Sequence, residues 1–352
     1  MLEGDDKPAL VAICGTPSPL THWAALYVNA LATAAWGAHA FVGANSDEEF
    51  LDALDRSTGG PFILLAHVPT RALMDRIVQT FDHVLLIEDA PADVIGFVRT
   101  ERGVPLWEAI TVTSQALTTL AYLRVKLKPP ELRGDFYATE IGAATKAICE
   151  KLEMNAPNAW TASPSLTSDS AAATTVLTRI LAEIRYARPP GQYFIDSSAT
   201  ECDLVNTACR HFDNLALGRP LARSQWPIPL FMTSDKKGQP LWANLREAID
   251  LTGPARTLIY GPYLHLPVGA WYLRGTLQVE DNHSRNVVQM DVTAGERTLA
   301  MVKAPLPVEG EFAFEMTFEV DEPRDPMQLR VHILEGAIEG ALRLGAIEIL
   351  PK

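Results

Sequence analysis

The sequence predicts an α/β layered domain followed by an antiparallel β-sandwich. Two observations carry this. Residues 10–100 alternate short, continuously apolar runs with amphipathic stretches, the pattern of parallel strands covered on both faces by helices. Residues 256–352 change to a two-residue apolar period. EFAFEMTFEV at 311–320 puts Phe312, Phe314, Met316, Phe318 and Val320 on one face and Glu311, Ala313, Glu315, Thr317 and Glu319 on the other, as a half-buried strand requires.

In chain order, the first region reads as strands at 10–14, 38–42, 61–66 and 83–87, with helices near 20–36, 46–56, 70–80 and 91–100. Ser46 followed by Glu49 forms a capping box for the second helix. Leu106 to Leu127 has apolar residues at three- and four-residue spacing and stops at Pro129-Pro130, as a helix does. Further helices are expected over 141–152, 170–187 and 198–217, with a Ser-, Thr- and Pro-rich loop or hinge at 155–170. Ser198 with Glu201 caps the last helix and Gly218 closes it. Residues 219–255, carrying Pro220, Pro227, Pro229, Pro240 and Pro254, read as a connector. The expected domains are therefore 1–218, α/β with a helical extension, and 256–352, the sandwich, joined by 219–255.

A chain of 352 residues exceeds the roughly 250–300 residues that one core supports. Hydrophobic content of 47% with 21% charged residues fits a globular protein, and a net charge of −13 argues against a nucleic-acid footprint. No run is long and apolar enough to span a membrane. Four unpatterned cysteines and an acidic start without a basic-then-apolar leader predict reduced thiols and a cytoplasmic protein. No metal-ligand spacing occurs.

ALVAICGTPSPLTHW at 9–23 is a buried strand turning sharply into a helix. Such a turn aims unpaired N–H groups and the helix's positive end at one point, which attracts anions. The Walker spacing is absent, because neither a second Gly nor a Lys follows Gly15.

Pro17-Ser18-Pro19-Leu20-Thr21-His22-Trp23 resembles the P-[KR]-S-G-T-T-W phosphosulfate loop of sulfotransferases, and two further motifs follow in order. His67-Val68-Pro69 resembles the T-H-L-P segment, and Asp89-Ala90-Pro91-Ala92-Asp93-Val94-Ile95-Gly96-Phe97 resembles R-D-P-R-D-V-x-x-S. The resemblance covers roughly the first hundred residues, with 135–154 a vaguer match to a later helix, and implies a sulfotransferase-like parallel sheet flanked by helices. It implies His67 as catalytic base, Thr21 as a phosphate-binding hydroxyl, Trp23 as an adenine-stacking ring, and a donor site around Ser18, His22, Asp89 and Asp93. Read from the residues alone, His67 is equally a strand-end histidine holding a loop carbonyl, Trp23 a helix residue packed on the sheet, and His22 a first-turn helix position.

The departures bear on chemistry. Ser18 replaces a basic residue, Asp89 and Ala92 replace arginines, and Phe97 replaces a serine. An anion in place of a cation beside a phosphate costs several kcal/mol in a partly dry site, so the phosphoadenosine phosphosulfate donor is expected to bind weakly or not at all. Arg71, Arg99 or Arg102 converging on the cleft would restore the missing charge. An adenosine nucleotide is the one cofactor class the resemblance implies.

LIYGPYLHLPVGAWYLRGTLQV and ALRLGAIEIL, which open and close the sandwich, resemble jelly-roll modules of the carbohydrate-binding kind. Tyr260, Tyr263, His265 and Tyr272 gather around the first hairpin, with Asp281, Asn282 and His283 as a polar turn. Aromatic faces with a few amide or carboxylate partners suit a sugar; the alternative is an interface belt between domains. Three functions remain open: a sulfotransferase-like protein without donor chemistry that binds carbohydrate, or a partner protein, in polysaccharide biosynthesis or its regulation; an active transferase with an altered donor site; and a structural subunit whose sandwich mediates homo-oligomerisation.

Overall fold

A computed structural model of the chain describes residues 10–57, 59–154, 174–216, 223–234, 239–240 and 248–352. The loop expected at 155–170 and parts of the 219–255 segment lie outside the described residues. The chain divides into two compact units, Met1–Ser197 and Ser198–Lys352.

The first unit runs β1 (Leu10–Gly15), α1 (Pro19–Trp36), β2 (Ala40–Gly43), α2 (Asp47–Arg56), β3 (Phe62–Ala66), α3 (Arg71–Thr80), β4 (His83–Glu88), α4 (Pro91–Arg102), α5 (Leu106–Leu127), β5 (Glu131–Arg133), α6 (Ile141–Lys151) and α7 (Val176–Glu183). Its sheet is parallel throughout, in the order β2-β3-β1-β4-β5. The continuous apolar character of β1 follows from burial on both sides. Val11 and Ile13 join α1, α6 and α7 in one core, while Ala12 and Cys14 join α2, α3 and α5 in the other. The Ser46–Glu49 capping box forms as the sequence predicts.

Because β1 lies at the centre of the sheet, with the β2-β3 pair on one flank and β4-β5 on the other, the direction in which successive strands are added reverses beside it. In open α/β sheets the crevice at the carboxyl ends of strands at such a point is where ligands bind. The ends of β1, β3 and β4 carry the loops that contain Ser18, His67 and Asp89 respectively.

The second unit begins with α8 (Ala199–Ala216), entered through hydrogen bonds between Ser198 and Glu201. Short strands follow: β6 (Ser224–Gln225), β7 (Met232–Thr233), β8 (Gln239–Pro240) and β9 (Ile249–Asp250). Then come β10 (Arg256–Leu264), β11 (Gly269–Glu280), β12 (Val287–Ala294), β13 (Arg297–Pro305), β14 (Gly310–Val320), β15 (Met327–Ile333) and β16 (Ala341–Pro351). They form two antiparallel sheets, β13-β12-β15-β10-β7-β8 and β14-β11-β16-β6, with β9 paired to β16. From β10 onward the chain crosses repeatedly between the sheets, giving a jelly-roll-like sandwich. Residues 224–225 and 232–233, within the stretch read as a connector, extend β16 and β10. In β14 the alternation is as predicted: Phe314, Met316, Phe318 and Val320 are buried, and Glu311, Glu315 and Glu319 are exposed.

At Gly275 the inner layer leaves no room for a side chain. A Cβ there would lie 2.3 Å from Phe314 Cζ and 2.8 Å from Ile347 Cδ1. Gly275→Val should therefore cost at least about 1–3 kcal/mol by overpacking, seen as a lower urea midpoint with an unchanged slope.

Candidate functional site

The mouth of the parallel sheet is built on the β1–α1 turn. Ser18 is the N-cap of α1, its hydroxyl accepting from Thr21 N at 3.3 Å, with Pro19 opening the helix. Gly15 is required here, since a Cβ would meet the Thr21 side chain at 2.5 Å. Thr16, Ser18 and Thr21 are all fully buried, so this part of the turn is closed to solvent.

Asp89, at the end of β4, faces that turn. Its backbone N–H donates to Thr16 Oγ1 at 3.3 Å, and its carboxylate accepts from Tyr137 Oη and from Ser18. It is 2% exposed. Burial pushes the carboxyl up to about 6, with the Asp93 charge adding, against the lowering effect of the Tyr137 and Ser18 hydrogen bonds. Burial and the Asp89 charge in turn raise the Tyr137 phenol. Asp93 is also buried and accepts from Gly191 N at 2.7 Å. It anchors a segment whose Tyr193 packs so closely on Gly96 that a Cβ at Gly96 would fall 2.2 Å away.

His67 follows β3. Its Nδ1 lies 3.0 Å from the Gly15 carbonyl, and a carbonyl can only accept, so Nδ1 carries the proton and the Nε2 lone pair is left available. Asn45 Oδ1 accepts from the N–H groups of His67 and Val68, at 3.1 and 2.9 Å. Burial, then the neighbouring His22, push His67 down to about 4. The His22 ring sits 5.4 Å from those of both His67 and Phe97, and its Nδ1 is 3.7 Å from Glu101; burial lowers it too.

Trp23 is 1% exposed and stacks on Tyr27 at 4.8 Å within the core, so no ring face is open to an adenine. Phe97 is likewise completely buried. Of the basic residues considered as replacements, Arg71 pairs with Asp75 and stacks over Tyr122. Arg102 is exposed and disfavours protonation of His22 and His67 through its charge. Tyr137 and Asn45 carry no motif. Each becomes part of the site only through contacts with residues 48 or 22 positions away.

In the second unit the four candidate aromatic residues separate. Tyr260 and Tyr263 remain together at 6.3 Å, both half-buried on the outer side of β10. His265 is buried, and burial pushes it down to about 4. Tyr272 lies on β11 in the other sheet, with Lys352 Nζ 6.0 Å from its ring. Asn282 is buried, donating to the Leu306 and Pro307 carbonyls, which makes it a turn-former. Among the described residues no His, Cys, Asp or Glu group could hold a metal ion, and no helix is long and apolar enough to cross a membrane.

No protein-family model matches the chain, and no curated protein matches it. Solved structures that resemble it include the Stig cyclase Fisc from Fischerella sp. TAU, 15% identical over 27% of this chain and 54% of that one, TM-score 0.21. The CBM6 of LamC, a laminarinase from Zobellia galactanivorans, is 13% identical over 29% and 75%, TM-score 0.20. TmCBM61, in complex with β-1,4-galactotriose, is 12% identical over 29% and 67%, TM-score 0.22. The chain spans 54% of the length of the first of these. Such low scores carry no argument for a ligand or an activity, which must come from the residues themselves.

Proposed function

We propose that the chain is a carbohydrate-binding protein acting in polysaccharide biosynthesis or its regulation in the cytoplasm, with an α/β unit of sulfotransferase type that performs no group transfer. The observation that carries this is Asp89. Its own carboxylate takes the Tyr137 and Ser18 donors at the helix α1 entrance, where a donor phosphate would need them. An incoming phosphate would meet a buried acidic group in place of a cation. Recognition then falls to the sandwich, where Tyr260 and Tyr263 keep rings in partial contact with solvent.

Titration calorimetry with adenosine 3′-phosphate 5′-phosphosulfate tests the first half. Binding weaker than about 1 mM is expected, and micromolar binding, worth about −8 kcal/mol, would sink the proposal. Retention on a polysaccharide affinity gel tests the second.

The fixed tautomer of His67 favours one rival reading, an active transferase with His67 as base. General bases work best with a pKa near the working pH, and a group held down to about 4 falls well short. His67→Ala should therefore leave cellular output intact, whereas a true base would lose roughly 10²–10⁴-fold in turnover.

A further inference from the structure

The outer face of the larger sheet carries a polar group that neither the mouth of the parallel sheet nor the sandwich core uses. β12 places Gln289, Asp291 and Thr293 on that face, where period-two alternation in a sandwich strand leaves room for solvent-facing residues. β15 places Gln328, Arg330 and His332 opposite them, pairing Asp291 with Arg330 and Gln289 with His332. On the far side of β15, Tyr260 stands opposite Arg330.

Asp291 organises the group. It is 1% exposed, and it accepts from Arg330 Nε at 2.6 Å and from Gln289 Nε2 at 3.0 Å. His332 Nε2 stands 3.1 Å away, with His332 Nδ1 held 2.9 Å from Thr257 Oγ1. Burial would raise the carboxyl, but His332, Arg330 and Gln289 together hold it down to about 2. Next along β12, Thr293 is 1% exposed and its hydroxyl has no hydrogen-bond partner.

The arrangement differs from a surface ion pair, which holds little energy and less geometry. A buried carboxylate fixes the Arg330 guanidinium through Nε. This leaves the two terminal nitrogens of a side chain that is 35% exposed to donate outward. Tyr260 stands opposite Arg330 across the strand pair, and Tyr263 is close enough for the Arg330 charge to lower its pKa against the raising effect of burial and Tyr260. Asp291 offsets the arginine's charge, so the site offers directed donors beside apolar rings with no large net field. On the opposite sheet Tyr272 has no such support. The groove beside it is lined by Arg274, Glu315 and Glu348, which are spent in exposed or partly exposed pairs: Arg274 with Glu315, and Glu348 with Arg223.

We propose that this face of the β12–β15–β10 strands is the glycan site, with a pyranose ring lying on one of the Tyr260 and Tyr263 rings, which stand at 85° to each other, against the edge of the other, and its hydroxyl or carboxylate oxygens accepting from Arg330. The assignment rests on the carbohydrate-binding reading above and specifies the surface that performs it. Arg330 is the specificity-determining residue, and Asp291 is a positioning residue that acts through it.

The test uses the full chain on an array bearing neutral and uronic-acid oligosaccharides, followed by calorimetry on the best ligand. Tyr260→Ala and Arg330→Lys, which keeps the charge but loses the fork, should each weaken binding by about tenfold or more. Tyr272→Ala should leave it unchanged. A uronate ligand would show affinity falling with added salt, and a neutral one would not. Hydrogen exchange on the unmodified chain supplies a readout that needs no variant: the ligand should protect β10 and β15 peptides and spare β11 and β16. Binding lost in Tyr272→Ala, or protection confined to β11 and β16, overturns this site but leaves the carbohydrate-binding reading intact. Failure to retain any oligosaccharide overturns both.

Discussion

Acidification from pH 7 to 4.5 is expected to unfold the second unit before the first. His211 and His265 are each 2% exposed, and burial pushes both down to about 4, whereas in the unfolded chain they titrate near 6.5. Between those values the unfolded state binds more protons, so stability falls as the pH drops. The loss begins near 6.5 and is complete near 4. At pH 4.5 each histidine contributes about 2–3 kcal/mol of destabilisation, an upper bound. Together they remove about 5 kcal/mol, comparable with the whole stability of an ordinary domain.

The first unit responds differently. His67 carries the same penalty, but Asp89, raised to about 6, has the opposite sign: the folded state binds more protons than the unfolded between about 4 and 6, so acid stabilises it. The two nearly cancel. Calorimetric scans across this range should show one transition moving sharply to lower temperature and the other moving little. His211→Gln should move the sensitive one back. Both transitions shifting in step would remove the assignment. Below about pH 4 the second unit should weaken further as Asp291, held down to about 2, takes up its proton.

What could be read from the sequence followed the range of the underlying interactions. Strands β1 to β4 and helices α1 to α5 are visible because apolar periodicity and caps are local. The predicted helix over 106–127 coincides with α5, and the Ser46–Glu49 box is formed. β5 to β9 left no such trace. They are two or three residues long, too short to show a period, and Pro130, Pro227 and Pro240 within or beside them argue against strands on local grounds. Their pairing is decided by the edges they meet.

At the mouth of the parallel sheet, the turn, the His67 position and the Asp89 position were legible as motif positions. Their chemistry depends on partners that are not. Tyr137, which turns Asp89 into a closed pair, is 48 residues away, and its own neighbourhood shows no pattern. Asp291 is a different kind of miss. QMDVT at 289–293 shows three polar residues in one phase of an apolar strand, a signal of an outward face, but the strand pairing that sets Arg330 and Tyr260 beside it is a matter of topology. Tyr272 illustrates the reverse: closeness in sequence to Tyr260 placed it in the same cluster, although the loop between β10 and β11 carries it to the other sheet.

Asp89→Asn is expected to stabilise the first unit by up to about 3 kcal/mol at pH 7, the equivalent of raising a carboxyl from 3.8 to about 6. The amide oxygen can still accept from Tyr137, and the buried charge is gone. Since the native carboxyl is itself protonated well below 6, the gain should shrink to nothing by about pH 4. The diagnostic is therefore its pH dependence, read from urea midpoints at several pH values. A destabilised Asp89→Asn at pH 7 would mean that the ionised carboxylate is needed, as it would be for a bound cation or a proton acceptor, and would return the mouth to the list of working sites. The double change Asp89→Arg with Phe97→Ser, which rebuilds two motif positions, is expected to unfold the unit without restoring donor binding. It buries a guanidinium beside Tyr137 and removes a fully buried ring worth about 3–5 kcal/mol. A folded double variant that binds adenosine 3′-phosphate 5′-phosphosulfate would instead show that the pocket is open and lacks only its cations.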